Sequence, residues 1–218
     1  IFDLDGVLIE SKDLHFLALN KALNKIDKKF QITFDEHLSK YDGLSTKRKL
    51  TILNKEKQFP KNKIDTVNKL KQKFTIEILS KKISKDRNIF KVVNHLSKKY
   101  KLAVATNSVR DTLEIILRKM KIFEKFDFII SNEDVNNPKP HSEIYLKCMV
   151  ALGVNPNESL IIEDSSVGIK SAQLSGANVL PVTSIKKDVS IKNINKYIDM
   201  YSKNNHRTKW ISKNLNIL

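Results

Sequence analysis

Cysteine, tryptophan, glycine and proline are all scarce: one, one, five and five in 218 residues. A lone Cys148 excludes an internal disulfide and fits a reducing cytosol, so Cys148 is read as helix packing. Few glycines and prolines leave little room for flexible linkers. No apolar run approaches the roughly 20 residues that a membrane span needs. No basic stretch leading to a small-residue cleavage site opens the chain, and the expectation is a cytoplasmic protein without a membrane partner. An initiator Met is also lacking and the first apolar stretch opens on Ile1, so a few upstream residues are expected. Acidic residues are outnumbered, 24 against 40 basic, giving a net charge of +16. That excess suggests nucleic acid, but a nucleic-acid binder would concentrate arginine and interleave exposed aromatics. Only Arg48, Arg87, Arg110, Arg118 and Arg207 are arginine, and the 35 lysines are scattered along every helix. The expected role of this charge is a solvated surface that draws in small anions, with nucleic acid a lesser alternative and a monomer the expected state.

Against that background the first ten residues stand out. Ile1, Phe2 and Leu4 carry the apolar side chains of a buried parallel strand. Asp3 and Asp5 interrupt it where it should end, and Gly6 follows as a turn. Desolvating a carboxylate is costly unless a metal or a cation answers it. Two carboxylates two residues apart suit a Mg²⁺ site, or a nucleophile with an acid/base beside it. The same D-x-D-G also occurs in calcium loops and hairpin turns.

Helical spacing follows, with Leu14, Leu17, Ala18, Ala22 and Leu23 as one apolar stripe. Further helices are expected over 45–55 and 61–82, with Leu50, Leu53, Ile64, Val67, Leu70, Phe74 and Ile78 as core positions. From Ile89 the rhythm changes to short alternating helices and strands, the strands over 102–106, 126–130, 160–162 and 178–182. Such alternation predicts an α/β fold, a doubly wound parallel sheet of about five strands, with an inserted α-helical cap domain. The predicted core comprises 1–12 and 88–200, the cap 13–87, and a polar tail 201–218. Ile191, Ile194 and Ile198 suggest one more docked helix, and the last 15 or so residues are expected to be poorly ordered.

Every predicted strand ends in polar groups. The sequence reads F-D-L-D-G-V-L from Phe2, A-T-N-S from Ala105, N-P-K-P from Asn137 and I-I-E-D-S-S-x-G-I from Ile161. In an open parallel sheet these tips fall along one edge, where ligands bind. These motifs, in this order, resemble the haloacid dehalogenase superfamily, in particular its β-phosphoglucomutase-like branch with a helical cap. The resemblance extends to about Val182 and implies a Rossmann-like core and phosphoryl transfer.

By that resemblance Asp3 is the nucleophile that forms an aspartyl-phosphate, and Asp5 is the general acid/base. Asp5 is expected to have a raised pKa from nearby carboxylates. Mg²⁺ would be held by Asp3, the Asp5 carbonyl and Asp164, with Glu163 binding it directly or through water. Thr106, the Asn107 backbone N–H and Lys139 would bind the phosphoryl oxygens. The plainer alternatives are helix capping for Thr106 with Ser108 and for Glu163-Asp164, and solvation for Lys139. His15 sits where relatives carry a His that assists the acid/base. In the cap, 41–48 resembles a substrate-specificity loop, in which Lys47 or Arg48 could reach a second phosphate or sugar hydroxyls. The branch's mutases usually carry an Arg just after this loop's Ser; Thr46 stands there, which counts against mutase activity. The implied function is a Mg²⁺-dependent phosphatase of small phosphorylated metabolites, sugar phosphates foremost. A phosphosugar mutase and a non-catalytic binding module are the alternatives.

Overall fold

The computed structural model describes the backbone of residues 1–214 and the side chains of residues 1–203. Residues 1–3 run through the middle of a parallel sheet. Phe2 N–H donates to the Ala103 carbonyl at 2.8 Å, and Asp3 N–H donates to that of Ile162 at 2.9 Å. This segment joins the pair β1 (Ala103–Ala105) and β2 (Phe128–Ile130) to the pair β3 (Leu160–Glu163) and β4 (Asn178–Pro181). All the pairings are parallel, so the order across the sheet is β2, β1, residues 1–3, β3, β4.

Side chains alternate between the two faces of a strand, and the core divides accordingly. Phe2, Val104, Ile162 and Leu180 form one layer with α5 (Arg87–Leu96), α6 (Arg110–Lys119) and the start of α10 (Ile191–Asn214). Ile1, Ala103, Ala105, Ile130 and Ile161 form the other with α7 (Glu143–Leu152) and α8 (Ser166–Leu174). Helices thus cover both faces, which is the predicted doubly wound arrangement. Cys148 is buried in the second layer, where burial pushes its thiol up to about 12, as its packing role requires.

The inserted helices are α1 (Lys12–Asn24), α2 (Phe34–Glu36), which runs into a π turn over His37–Tyr41, α3 (Thr46–Lys57) and α4 (Ile64–Lys82). They have their own core, which includes Leu19, Leu23, Tyr41, Leu50, Leu53, Phe59 and Val67. The expected α1 stripe needs one correction: Leu17 is 45% exposed, and Leu19 is buried in its place. Ala18, Leu19, Ala22 and Leu23 together form the face of α1 that enters the insertion's core. Leu14 and Leu79 belong to the sheet core instead, so α1 and α4 also tie the insertion to the sheet. After β4 the chain forms the short α9 (Ile185–Asp188) and then α10. The expected docked helix is present, with Ile194 buried and Ile191 and Ile198 packed against the core. The expectation of poor order concerns side chains beyond 203 and a terminus that lie outside the described residues. Among the described residues, no helix is long and apolar enough to cross a membrane.

Candidate active site

The strand tips and the inward faces of α1, α3 and α4 enclose one cavity lined by Asp3, Asp5, Thr106, Asn107, Lys139, Glu163 and Asp164. The sheet delivers each side chain. Asp3 follows the central segment, Thr106 follows β1, and Glu163 ends β3. Gly6 makes the turn with φ +86°, and a Cβ there would run into the Asp164 carboxylate. Glycine is therefore needed at this position for both backbone conformation and space.

Lys139 Nζ donates to Asp3 Oδ1 at 2.6 Å, to Glu163 Oε1 at 2.6 Å and to the Ala105 carbonyl at 2.9 Å. It is 3% exposed, which removes the solvated alternative. Burial opposes its charge, but Asp3 and Glu163 more than offset that and hold its pKa above the usual lysine value. Asp3 is pushed well above the carboxylate range by burial and by Glu163, despite Lys139. Glu163 is fully occupied: Oε1 also accepts from Tyr145 OH at 2.7 Å, and Oε2 accepts from the N–H groups of Asp164 and Ser165. A side chain so held orders Lys139 and the following loop.

Asp5 lies on the other side of the turn. Its Oδ2 accepts from Ser108 Oγ at 2.8 Å, and its Oδ1 is shared by Ser11 Oγ and His15 Nε2. His15 Nδ1 lies 3.1 Å from Lys71 Nζ. An ammonium donating to Nδ1 leaves the ring proton on Nε2, pointed at Asp5. Burial and Lys71 lower the His15 pKa, consistent with a neutral ring. The expected upward shift of Asp5 is reversed. Burial does oppose its charge, but His15 and the Ser11 and Ser108 donors outweigh it, and the pKa falls below the usual range. The reason is its partners: the Asp5 carboxylate accepts from all three of these side chains.

One carboxylate oxygen each from Asp3, Glu163 and Asp164 lies within 4.8 Å of the others. Buried, mutually repelling oxygen donors fit a hard divalent cation such as Mg²⁺. The Asp5 side chain lies outside this group, so only its carbonyl could serve as expected. Asp164 is pushed up to about 6 by burial, although Lys12 at 2.9 Å pulls the other way. Lys12 also reaches Asp42 of the insertion at 2.8 Å, linking the two parts of the chain.

Thr106 Oγ accepts from Ser108 N–H at 3.0 Å, and Asn107 Nδ2 donates to the Gly43 carbonyl at 2.7 Å. Neither Thr106 nor Ser108 caps α6, whose N-cap is Val109 without a side-chain bond. Ser165 does cap α8 through Gly168 N–H. His15 is in the site, whereas Lys47 is not: its side chain is 68% exposed, 3.6 Å from Asp65. Arg48 is exposed as well. Helical spacing explains the miss, because Leu50 and Leu53 face inward and share that face with Thr46 and Lys49. Lys71 was missed in the same way; it stands between Val67 and Phe74 on the buried face of α4. A lysine at a core position of a helix is the signal for both.

The fold and site define a phosphoryl-transfer type of α/β hydrolase. The chain belongs to the haloacid dehalogenase-like hydrolase family, whose model matches residues 1–182. It is 29% identical over 178 residues to the phosphorylated carbohydrates phosphatase of Thermotoga maritima, covering 81% of this chain and 80% of that one. In fold it is similar to β-phosphoglucomutase from Clostridium difficile, with a TM-score of 0.78, 22% identity, and 92% and 96% of the two chains covered. It is equally similar to CbbY from Rhodobacter sphaeroides solved with phosphate, at TM-score 0.78, 19% identity, and 89% and 97% coverage.

Proposed function

We propose that the protein is a Mg²⁺-dependent phosphatase of small phosphorylated metabolites, sugar phosphates foremost, acting as a cytoplasmic monomer through an aspartyl-phosphate on Asp3. The observation that carries this reading is the division of labour between two neighbouring carboxylates. Asp3 faces Lys139 and the acid cluster, while Asp5 is turned toward Ser11, His15 and Ser108. Asp3, Asp164 and the Asp5 carbonyl would hold the metal, with Glu163, whose oxygens are already occupied, adding negative charge behind them. When bound, Mg²⁺ supplies the positive charge that lets an anionic carboxylate meet an anionic phosphate.

Asp3 Oδ1 is fixed by Lys139, which leaves Oδ2 to attack phosphorus in line. Thr106 and the Asn107 N–H, which has no protein acceptor among the described residues, offer donors to the phosphoryl oxygens, and Lys139, whose three donors are taken by Asp3, Glu163 and the Ala105 carbonyl, supplies positive charge beside them. Asp5 stands ionised, the form that takes a proton from the water that cleaves the aspartyl-phosphate. Departure of the alcohol in the first step needs the protonated form, so Asp5 takes up a proton as the substrate binds, gives it to the alcohol and is reprotonated by that water, which leaves it protonated at the end of the cycle. Lys12, Asp42 and the Asn107–Gly43 bond hold the insertion over the site, where it limits bulk water.

The test is phosphate release from a panel of phosphorylated metabolites with Mg²⁺, comparing wild type and Asp3→Asn. Release by wild type alone is expected; no release, or equal release by the variant, overturns the proposal. With glucose 1-phosphate, an isomeric phosphate formed without free phosphate would replace hydrolysis by mutase chemistry.

A further inference from the structure

Tyr145 sits on α7, fully buried in the second core layer beside Ile144, Cys148 and Met149. It stands behind the cavity rather than among the residues that line it. Its hydroxyl donates to Glu163 Oε1 at 2.7 Å. The same oxygen accepts from Lys139 Nζ at 2.6 Å, and that ammonium lies 4.7 Å from the centroid of the Tyr145 ring. Tyr145 therefore meets the Lys139–Glu163 pair twice: the ring backs the cation, and the hydroxyl holds the anion. Packing accounts for the ring alone. A phenylalanine would fill the same layer and bring no polar group that needs a partner.

The hydroxyl acts on a shared cation. Lys139 is held between two carboxylates, 2.6 Å from Asp3 Oδ1 and 2.6 Å from Glu163 Oε1. The two acids compete for one ammonium, and only its hold on the Asp3 side serves the nucleophile and the phosphoryl group. A second donor on Glu163 Oε1 answers part of that oxygen's charge and fixes its position. Without that donor, Glu163 would draw Lys139 toward itself and away from Asp3.

We propose that Tyr145 is a positioning residue for phosphoryl transfer, its hydroxyl restraining Glu163 so that Lys139 stays shared with Asp3. This rests on the phosphatase reading and extends the machinery into the core, to a side chain that touches neither Asp3 nor the substrate.

Tyr145→Phe keeps the ring and removes the hydroxyl. With p-nitrophenyl phosphate and saturating Mg²⁺, kcat is expected to fall about fivefold or more while KM changes by less than about twofold. Replacing Tyr145 by 4-aminophenylalanine, which returns a donor to the same place, should restore most of the lost turnover. In Glu163→Gln, where no second charge competes for Lys139, adding Tyr145→Phe should change kcat by less than about twofold. A lower melting temperature in Tyr145→Phe with kcat within about twofold of wild type marks a merely structural hydroxyl and overturns the proposal. An equal loss of kcat in the wild-type and Glu163→Gln backgrounds overturns it too, as does no recovery with 4-aminophenylalanine. If Tyr145→Phe alone does not fold, the comparison within Glu163→Gln decides by the same limit. Asp3-dependent hydrolysis by the wild type keeps the phosphatase reading intact in every case. If the wild type hydrolyses nothing, that reading fails, and calorimetric binding of orthovanadate with Mg²⁺ decides on Tyr145. Binding about fivefold or more weaker in Tyr145→Phe than in wild type supports the positioning role, and equal binding or none overturns it.

Discussion

Replacing Lys139 by Met keeps the length of the side chain and removes its charge. Lys139 Nζ lies 2.6 Å from both Asp3 and Glu163, which are 6% and 0% exposed. Without it, two buried carboxylates face each other with no cation between them in the metal-free protein. Removing one partner from a buried pair of this kind costs about 3–5 kcal/mol, chiefly because the other charge stays buried and unanswered. For a chain of 218 residues each kcal/mol shifts the melting temperature by about 2–4 °C, so the expected fall is roughly 6–20 °C. The assay is thermal unfolding in a chelator, followed by circular dichroism. Part of the loss should return on adding Mg²⁺, which brings charge to Asp3. Part should also return in the double variant Lys139→Met with Glu163→Gln, which removes one of the opposed carboxylates. A melting temperature within about 2 °C of wild type in the chelator would refute the reasoning, since it implies a cost under about 1 kcal/mol.

Other outcomes follow from the same geometry. Burial raises the Asp164 carboxyl to about 6, above its unfolded value near 4, so this group's contribution to metal-free stability is lost as pH rises through that window. Mg²⁺ needs the ionised carboxylates, so its thermal stabilisation should be largest above about pH 6 and shrink on acidification; equal stabilisation at about pH 5 and about pH 7.5 would contradict this. Gly168→Ala places a methyl group on the Glu163 carboxylate, which Lys139 and Tyr145 hold in place. The clash should outweigh the gain in helix propensity of roughly 1 kcal/mol, giving a net loss of about 1–3 kcal/mol in urea unfolding. Lys47→Ala should leave stability within about 0.5 kcal/mol and turnover at the wild-type level, because this side chain is exposed outside the cavity.

Much of this site was legible in the sequence because strands simplify the problem. Their side chains alternate strictly, so apolar runs ending in Asp3, Thr106 and Glu163 put those residues at one edge of the sheet. Lys139 was legible only through its place between two prolines, since its charge alone did not separate it from 34 other lysines. The insertion was harder to read. A helix needs its phase fixed by tertiary packing, and an error of one or two residues exchanges inside for outside. That error moved Leu17 inward in place of Leu19, and put Lys47 where Lys49 stands. The ionisation of Asp5 was beyond reach for a related reason. Its sequence neighbours suggested repulsion by acids, but the groups that set its charge, Ser11, His15 and Ser108, are its hydrogen-bond partners. Lys71, which fixes the His15 ring against Asp5, lies 56 residues farther along the chain than that histidine.

Acid-quenched protein that has been mixed with a radiolabelled phosphomonoester and Mg²⁺ gives the most direct measurement. A labile phosphoryl group should be recovered on the peptide carrying Asp3 in wild type and be absent from Asp3→Asn. Phosphate released at the wild-type rate with no label on that peptide, or label retained in Asp3→Asn, would contradict Asp3 as the nucleophile.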